Sequence, residues 1–271
     1  MWWKLIYISL QISSKIVFLR LRLTVIMEHS PYFNILDSVD STNNYAMAKV
    51  HAGMATHGMA WFALHQKAGK GQRGKEWISE PGENIILSIV IKPGHMFRVF
   101  PFILSAFIAN CCQQFLQNIT GHNIFIKWPN DLYWRDRKAG GILIENVFAG
   151  TEWKWAVIGI GINVNQTVFS NEAIRPVSLV DMTDTNYDPV SLSKQLHSYI
   201  LEKYNLITSE NSDGILEYYN AVLYKKGAVV KLRKNNAVFK TTITEVNEKG
   251  QLVAQDVMER QFDFGEVEWV I

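Results

Sequence analysis

Residues 69–77, Gly-Lys-Gly-Gln-Arg-Gly-Lys-Glu-Trp, interleave three glycines with three cations and end on an indole. That mixture suits an anion carried on a flat ring. Glycine lets backbone N–H groups approach oxygen closely, Lys70, Arg73 and Lys75 supply positive charge, and Trp77 offers a face for stacking. Two familiar phosphate patterns overlap in the stretch. Gly69, Gly71 and Gly74 fit G-x-G-x-x-G, and Gly69, Gly74 and Lys75 fit most of G-x-x-x-x-G-K.

Neither pattern survives its neighbours. A P-loop needs Ser or Thr after the lysine and a helix directly behind it. Here Glu76 follows, then Trp77, Pro81, Gly82 and a strand. A dinucleotide fold needs a helix at the third glycine and an acid about 20 positions on. Residues 90–95 are Val-Ile-Lys-Pro-Gly-His, without one. The remaining reading is a strand–loop–strand nucleotide site of neither type. A solvated basic turn is the plain alternative, and it accounts less well for the Trp.

The elements that must position this loop are legible as patterns. Strands are predicted over 32–39, 59–66, 84–91 and 123–128, a hairpin over "DLYW" and "AGGILIENVF", and a strand over "WKWAVIGIGINV". Ser41 caps a predicted helix over 42–52, helical spacing runs through 99–118, and helices are expected over 189–207 and 213–221. From Ala228 the pattern changes to short alternating strands with turns at Asn235-Asn236 and Lys249-Gly250, a candidate small β-barrel.

The totals narrow the class. The chain has 271 residues and a formal charge of +2, which implies no polyanion partner. Adjacent Cys111 and Cys112 read as two free thiols in a reducing compartment. No apolar run is long enough to span a bilayer without charges, and the histidines show no metal spacing. The first 26 residues carry Lys4, Lys15, Arg20 and Arg22 and no acid, and setting them aside leaves 23 basic against 25 acidic residues. They read as a signal peptide, an added element, or an over-long start with Met27 as the natural one. The last is favoured, because globular patterning begins after Met27.

Five blocks, "DSTNNYA" (40–46), "QKAGKGQRGKEW" (66–77), "KWPNDLYW" (127–134), "RKAGGILIE" (137–145) and "GIGINVN" (159–165), occur in this order. Together they resemble biotin protein ligase, from about Asn34 to the C-terminus. The resemblance implies an α+β fold: a mixed-sheet catalytic domain like that of class II aminoacyl-tRNA synthetases, over 27–223. A small SH3-like barrel is expected over 224–271, after a dispensable extension at 1–26. It implies a cytoplasmic enzyme that activates biotin with ATP and Mg2+ as biotinyl-5'-AMP. The biotinyl group then passes to a lysine of a biotin carboxyl carrier protein. About 30 residues precede the first block, too few for the DNA-binding module of some members, so no DNA and no membrane partner are expected. A homodimer is left open.

Residue by residue, the resemblance gives Lys138, Arg73 and Asp131 the catalytic roles. Lys138, before Ala139-Gly140-Gly141, is the cation expected at the biotin carboxylate and the α-phosphate. Ser41, Thr42, Gln66, Gly69, Lys138 and Gly141 are the expected biotin wall. Lys70, Gln72, Arg73, Lys75, Trp77, Lys127, Asn130 and Asn163 are the expected nucleotide side, with Trp77 on adenine. Asp131 is the one expected magnesium ligand, or else orients Lys138 or the acceptor lysine. The loop departs from the commoner G-R-G-R-x-x-R. Gln72 stands for an arginine, and two lysines stand for two others, which puts retention of the adenylate in doubt. The rivals are a lipoate ligase or octanoyltransferase, which would show an arginine–glycine–glycine block with a histidine, and a non-catalytic binding regulator.

Overall fold

A computed structural model describes residues 32–170, 175–207 and 213–270. The expected extension at 1–26 lies outside them. Apolar runs flanked by turn residues become the centre of a sheet, as the alternation requires. Seven strands form it: β1 (Phe33–Val39), β2 (Ala60–Gln66), β3 (Asn84–Ile91), β4 (Ile124–Lys127), β5 (Asp131–Trp134), β6 (Arg137–Ala149) and β7 (Glu152–Asn163). Their spatial order is β1-β2-β3-β7-β6-β5-β4, with β1 and β2 parallel and the other pairs antiparallel. The sheet is therefore mixed, as expected.

β3 is buried along its whole length because helices cover both faces. On one face Ile85, Leu87, Ile89 and Ile91 join the main core with Leu104, Ile108 and Leu116 of α3 (Pro101–Thr120) and Leu196 and Ile200 of α5 (Pro189–Asn205). On the other, Ala46 and Val50 of α1 (Thr42–His51) pack with Trp61, Val90 and Val157. Ser41 caps α1 as expected, accepting from Asn44 N.

The helix expected over 99–118 is two helices. Phe100, at φ −125 and ψ 81, separates α2 (His95–Val99) from α3. Pro101 is the cause, since it disfavours helical geometry in the residue before it and suits the first turn of the next helix. A short helix not read from the sequence, α4 (Leu179–Thr183), starts at a reciprocal box in which Ser178 and Asp181 bond each other's backbone N–H. The helix α6 (Asp213–Ala221) falls where expected.

Beyond it five antiparallel strands form a second sheet: β8 (Val229–Lys234), β9 (Ala237–Val246), β10 (Leu252–Gln255), β11 (Glu259–Phe262) and β12 (Glu268–Trp269), in the order β11-β10-β9-β8-β12. Both expected turns are present, with Asn235 and Gly250 at positive φ. The arrangement is compatible with an SH3-like module. Asn220 clamps it to α6, donating to Val246 O at 2.8 Å and accepting from Val246 N at 2.7 Å, and Trp128 Nε1 donates to Gly250 O at 2.9 Å. Among the described residues no helix is long and apolar enough to cross a membrane.

Candidate active site

Register places the site. Asp131 lies opposite Gly141, Gly141 opposite Gly161, and Gly161 opposite Ile86, so all four share one face of the sheet. The next row on that face is Leu143, Gly159 and Ser88. Glycines 141, 159 and 161 strip side chains from the middle of the sheet and leave a floor of backbone.

What stands over that floor comes from the sequence blocks. A Cβ at Gly161 would lie 2.6 Å from Trp77 Cε2, and one at Gly159 would lie 2.5 Å from Asn43 Oδ1. Beside Gly141 sit Lys138 and Asp131, joined Nζ to Oδ1 at 2.6 Å. A bulge in the β5–β6 pairing, between Leu132 and Tyr133, brings Lys138 to this face. Asn163 is buried, and its Nδ2 donates to the carbonyl oxygens of Lys138 at 3.3 Å and Val177 at 3.1 Å, fixing the backbone that carries the cation.

The α1 end of the floor is a nest of uncharged polar side chains, backed by the Glu145 carboxylate. Gln66 Oε1 accepts from Thr42 N at 2.8 Å and Thr42 Oγ1 at 3.2 Å. The Ser88 hydroxyl lies 2.8 Å from Thr42 Oγ1 and 2.6 Å from Asn43 Oδ1, and its single proton serves one of them. Asn43 Nδ2 donates to Glu145 Oε2 at 2.8 Å. Ser41, Thr42, Asn43, Gln66 and Ser88 are all buried. Gly69 is required here by space. A Cβ would meet Trp77 O at 2.2 Å and Gln66 Nε2 at 2.4 Å.

The cations divide into two groups. Lys138, Lys75 and Lys127 share one field, in which Lys127 feels Asp131, Lys138 and Lys75. Lys127 is buried, donates to Tyr133 Oη at 3.1 Å and lies over the rings of Tyr133 and Trp269. Burial pushes its amine down to about 8, against the pull of Asp131. Lys70 and Arg73 are engaged elsewhere, Lys70 Nζ on Asn44 Oδ1 at 2.7 Å and Arg73 Nη1 on Gly265 O at 2.7 Å. Arg73 thus points to the C-terminal sheet, while the Lys138–Asp131 pair stands beside Gly141.

Two further expected residues hold the frame. Asn130 Nδ2 donates to Ile142 O at 2.6 Å and its own carbonyl accepts from Ile142 N at 3.0 Å, which fastens the β4–β5 turn to the edge of β6. Gln72 Nε2 reaches the same Ile142 carbonyl at 3.5 Å. Gln72 Oε1 and Trp77 Nε1 are buried without a protein partner.

Ser88 and Asn43 are site residues that sequence reasoning passed over. Ser88 left a trace as the one hydroxyl in the apolar run 84–91, and Asn43 stood inside a quoted block. The donors offer little for a protein-built metal cage. No cluster of three His, Cys, Asp or Glu is present among the described residues.

The arrangement has a bare floor for a flat or extended ligand, a hydrogen-bonding end of uncharged side chains, and lysines around one carboxylate at the other. Known proteins share parts of this chain's sequence and fold. Residues 35–163 match the family model described as Biotin/lipoate A/B protein ligase family. The bifunctional ligase/repressor BirA of Escherichia coli K12 is 36% identical over 132 residues, covering 48% of this chain and 40% of that protein. A biotin--[acetyl-CoA-carboxylase] ligase of Paracoccus denitrificans is 32% identical over 161 residues, covering 57% of this chain and 65% of that one. The chain thus spans less than two thirds of the length of either relative. A biotin protein ligase from Aquifex aeolicus, solved with biotin and ATP, shares the fold at TM-score 0.73 and 23% identity, over 88% of this chain and 98% of that one. Through residues 35–163, this chain is similar to the biotin/lipoate A/B protein ligase family.

Proposed function

We propose that the chain is an ATP-dependent biotin–protein ligase, making biotinyl-5'-AMP and passing the biotinyl group to a lysine of a biotin carboxyl carrier protein. The observation that carries this is the Lys138–Asp131 pair at the cationic end of a glycine floor whose other end is a nest of uncharged polar side chains. A urea-like ring needs donors and acceptors already in place, and the nest of Thr42, Asn43, Gln66 and Ser88 supplies them. An apolar acyl chain could use none of those donors and acceptors. This favours biotin over lipoate or octanoate.

In the first step a carboxylate oxygen of biotin attacks the α-phosphorus of ATP and pyrophosphate leaves. Two anions must meet, and Lys138 offsets their repulsion while Asp131 and the Asn163 bond hold it in place. In the second step the acceptor amine attacks the acyl carbon, AMP leaves with the bonding pair, and one proton is released. The nucleotide side is assigned to Lys75, Trp77 and Lys127. Lys70, Gln72, Arg73, Asn130 and Asn163 keep the loop and strands in register. Magnesium belongs with the nucleotide phosphates. The lone carboxylate Asp131 fits a metal that brings most of its ligands with it, and not a resident ion.

The proposal includes a catalytic unit over 27–223 and an SH3-like unit over 224–271, a cytoplasmic setting, and no DNA partner. Homodimerisation is an outcome for sedimentation to decide. The test is ATP–pyrophosphate exchange with biotin, lipoate or octanoate as the acid. Exchange with biotin is expected. Exchange only with lipoate or octanoate would assign the chain to the other branch of that family, and none with any acid would refute the reading.

A further inference from the structure

The glycine loop does not end its contacts at the active-site floor. Lys70 holds its first arm to Asn44 of α1, and Gly69 is wedged between Gln66 and the carbonyl of Trp77. Its second arm sets Trp77 on Gly161. Between the arms, Gln72 crosses to the Ile142 carbonyl of β6, which also accepts from Asn130. Arg73 then leaves the catalytic sheet altogether. Its Nη1 donates to Gly265 O at 2.7 Å, and its guanidinium lies 6.0 Å from the centre of the Phe264 ring. The loop is a strap running from α1, across the glycine floor, to the turn between β11 and β12.

Both ends of that outer contact are shaped for it. Arg73 adopts φ +56, a left-handed conformation that is uncommon for a branchless cation in a loop. Gly265 has φ +85, and a Cβ there would lie 2.1 Å from Arg73 Nη1, so a side chain at 265 evicts the guanidinium. The acceptor is a neutral carbonyl, and among the described residues Arg73 forms no ion pair. The bond ties the strap down without competing for the charge that a phosphate needs.

We infer that Arg73 is a positioning residue, a latch that fastens the glycine loop over the floor through the Gly265 carbonyl of the C-terminal sheet. The inference rests on the reading that the floor holds biotinyl-adenylate. In that role Arg73 acts on how long the adenylate stays, and not on how fast it forms. It also gives the C-terminal sheet a share in the reaction, since its β11–β12 turn supplies the catch.

The test uses the full chain with Arg73→Ala, Arg73→Lys, Gly265→Ala and the double variant Arg73→Ala/Gly265→Ala. One readout is decay of enzyme-bound adenylate without carrier protein. The second is tryptic cleavage after Lys70 and Lys75 in ligand-free protein, which does not depend on activity. The latch predicts that Arg73→Ala and Gly265→Ala each speed adenylate release by about three- to tenfold. Both should expose the loop to cleavage, with the double variant no worse than either single one. Arg73→Lys should restore part of the effect, because its ammonium reaches a carbonyl. The exchange rate at saturating ATP should stay within about twofold of wild type. Exposed Arg73 supports no core, so Arg73→Ala keeps the test decisive if Gly265→Ala does not fold. Unchanged cleavage in Arg73→Ala would overturn the latch. So would a loss of about a hundredfold in exchange with normal adenylate retention, which would put Arg73 on the phosphate. Wild-type protein without biotin-dependent exchange would refute the ligase reading, while the cleavage arm would still read the latch.

Discussion

The indole of Trp77 rests on Gly161, so close that a methyl group at residue 161 would lie 2.6 Å from Cε2. The contact joins the end of the glycine loop to the centre of the sheet. Gly161→Ala should push the ring off the floor and raise KM for ATP about tenfold, equivalent to about 1.4 kcal/mol. KM for biotin should change less, because the polar nest lies at the other end. Steady-state exchange with each substrate varied in turn measures both. Equal changes in the two would show that Trp77 does not mark the nucleotide side.

Lys138→Ala should slow adenylate formation by about two to three orders of magnitude, through loss of the cation between two anions. Asp131→Asn should slow it less, since the amide leaves Lys138 charged but less firmly placed. Single-turnover formation of adenylate, with circular dichroism as a check on folding, gives the answer. Near-normal rates in Lys138→Ala would mean that another group holds the carboxylate and the phosphate.

Ser88→Ala should cost both stability and biotin affinity. The hydroxyl is fully buried and serves Thr42 and Asn43, so its removal strands an acceptor at about 1–3 kcal/mol. Urea unfolding and the KM for biotin report the two effects. A variant with unchanged stability would mean that the nest rearranges freely.

Lys127 gives a pH signature. Burial lowers its amine from the ordinary 10.5 to about 8, so between those values the unfolded chain binds the extra proton. Stability from this group therefore rises with pH across that window, and below it the buried charge is a cost. Lys127→Met should be the more stable protein near pH 7, with its advantage shrinking as pH rises from 8 to 10.5. Denaturant melts of both proteins across the window check the sign. A constant gap would contradict the lowered amine.

Gln72→Arg should slow adenylate release by up to about tenfold, if the added charge contributes about 1.4 kcal/mol. The side chain now spends its amide nitrogen on Ile142 O and leaves Oε1 buried and unpaired, so a cation there loses little that the amide provides. Decay of the bound adenylate measures it. Faster release would show that the Ile142 contact is what Gln72 contributes.

Much of this was legible in the sequence where local signals act alone. Ser41 reads as a cap, the apolar runs as strands, and the glycines and lysines of 69–77 as an anion loop, because each depends on neighbours within a few residues. What stayed hidden depends on register. Nothing local says that Gly159, Gly161 and Ser88 face the same way as Asp131, since that follows from four strands pairing at one offset. The break at Phe100–Pro101 carried a signal that helical periodicity overrode, and the Ser178–Asp181 box was too short to stand out. The resemblance gives Arg73 a catalytic role, and its bond to the C-terminal sheet has no counterpart in any local signal. Its partner Gly265 lies 192 residues away, beyond any local pattern.

The central claim is that the glycine floor between Lys138 and the Thr42–Gln66 nest makes and delivers a biotinyl group. The direct measurement is the intact mass of a biotin carboxyl carrier protein after incubation with the chain, biotin, ATP and Mg2+. The account predicts one added biotinyl group, on a lysine, and none in the same time with Lys138→Ala. A carrier left unmodified by the wild-type chain, or modified equally well by Lys138→Ala, would contradict it.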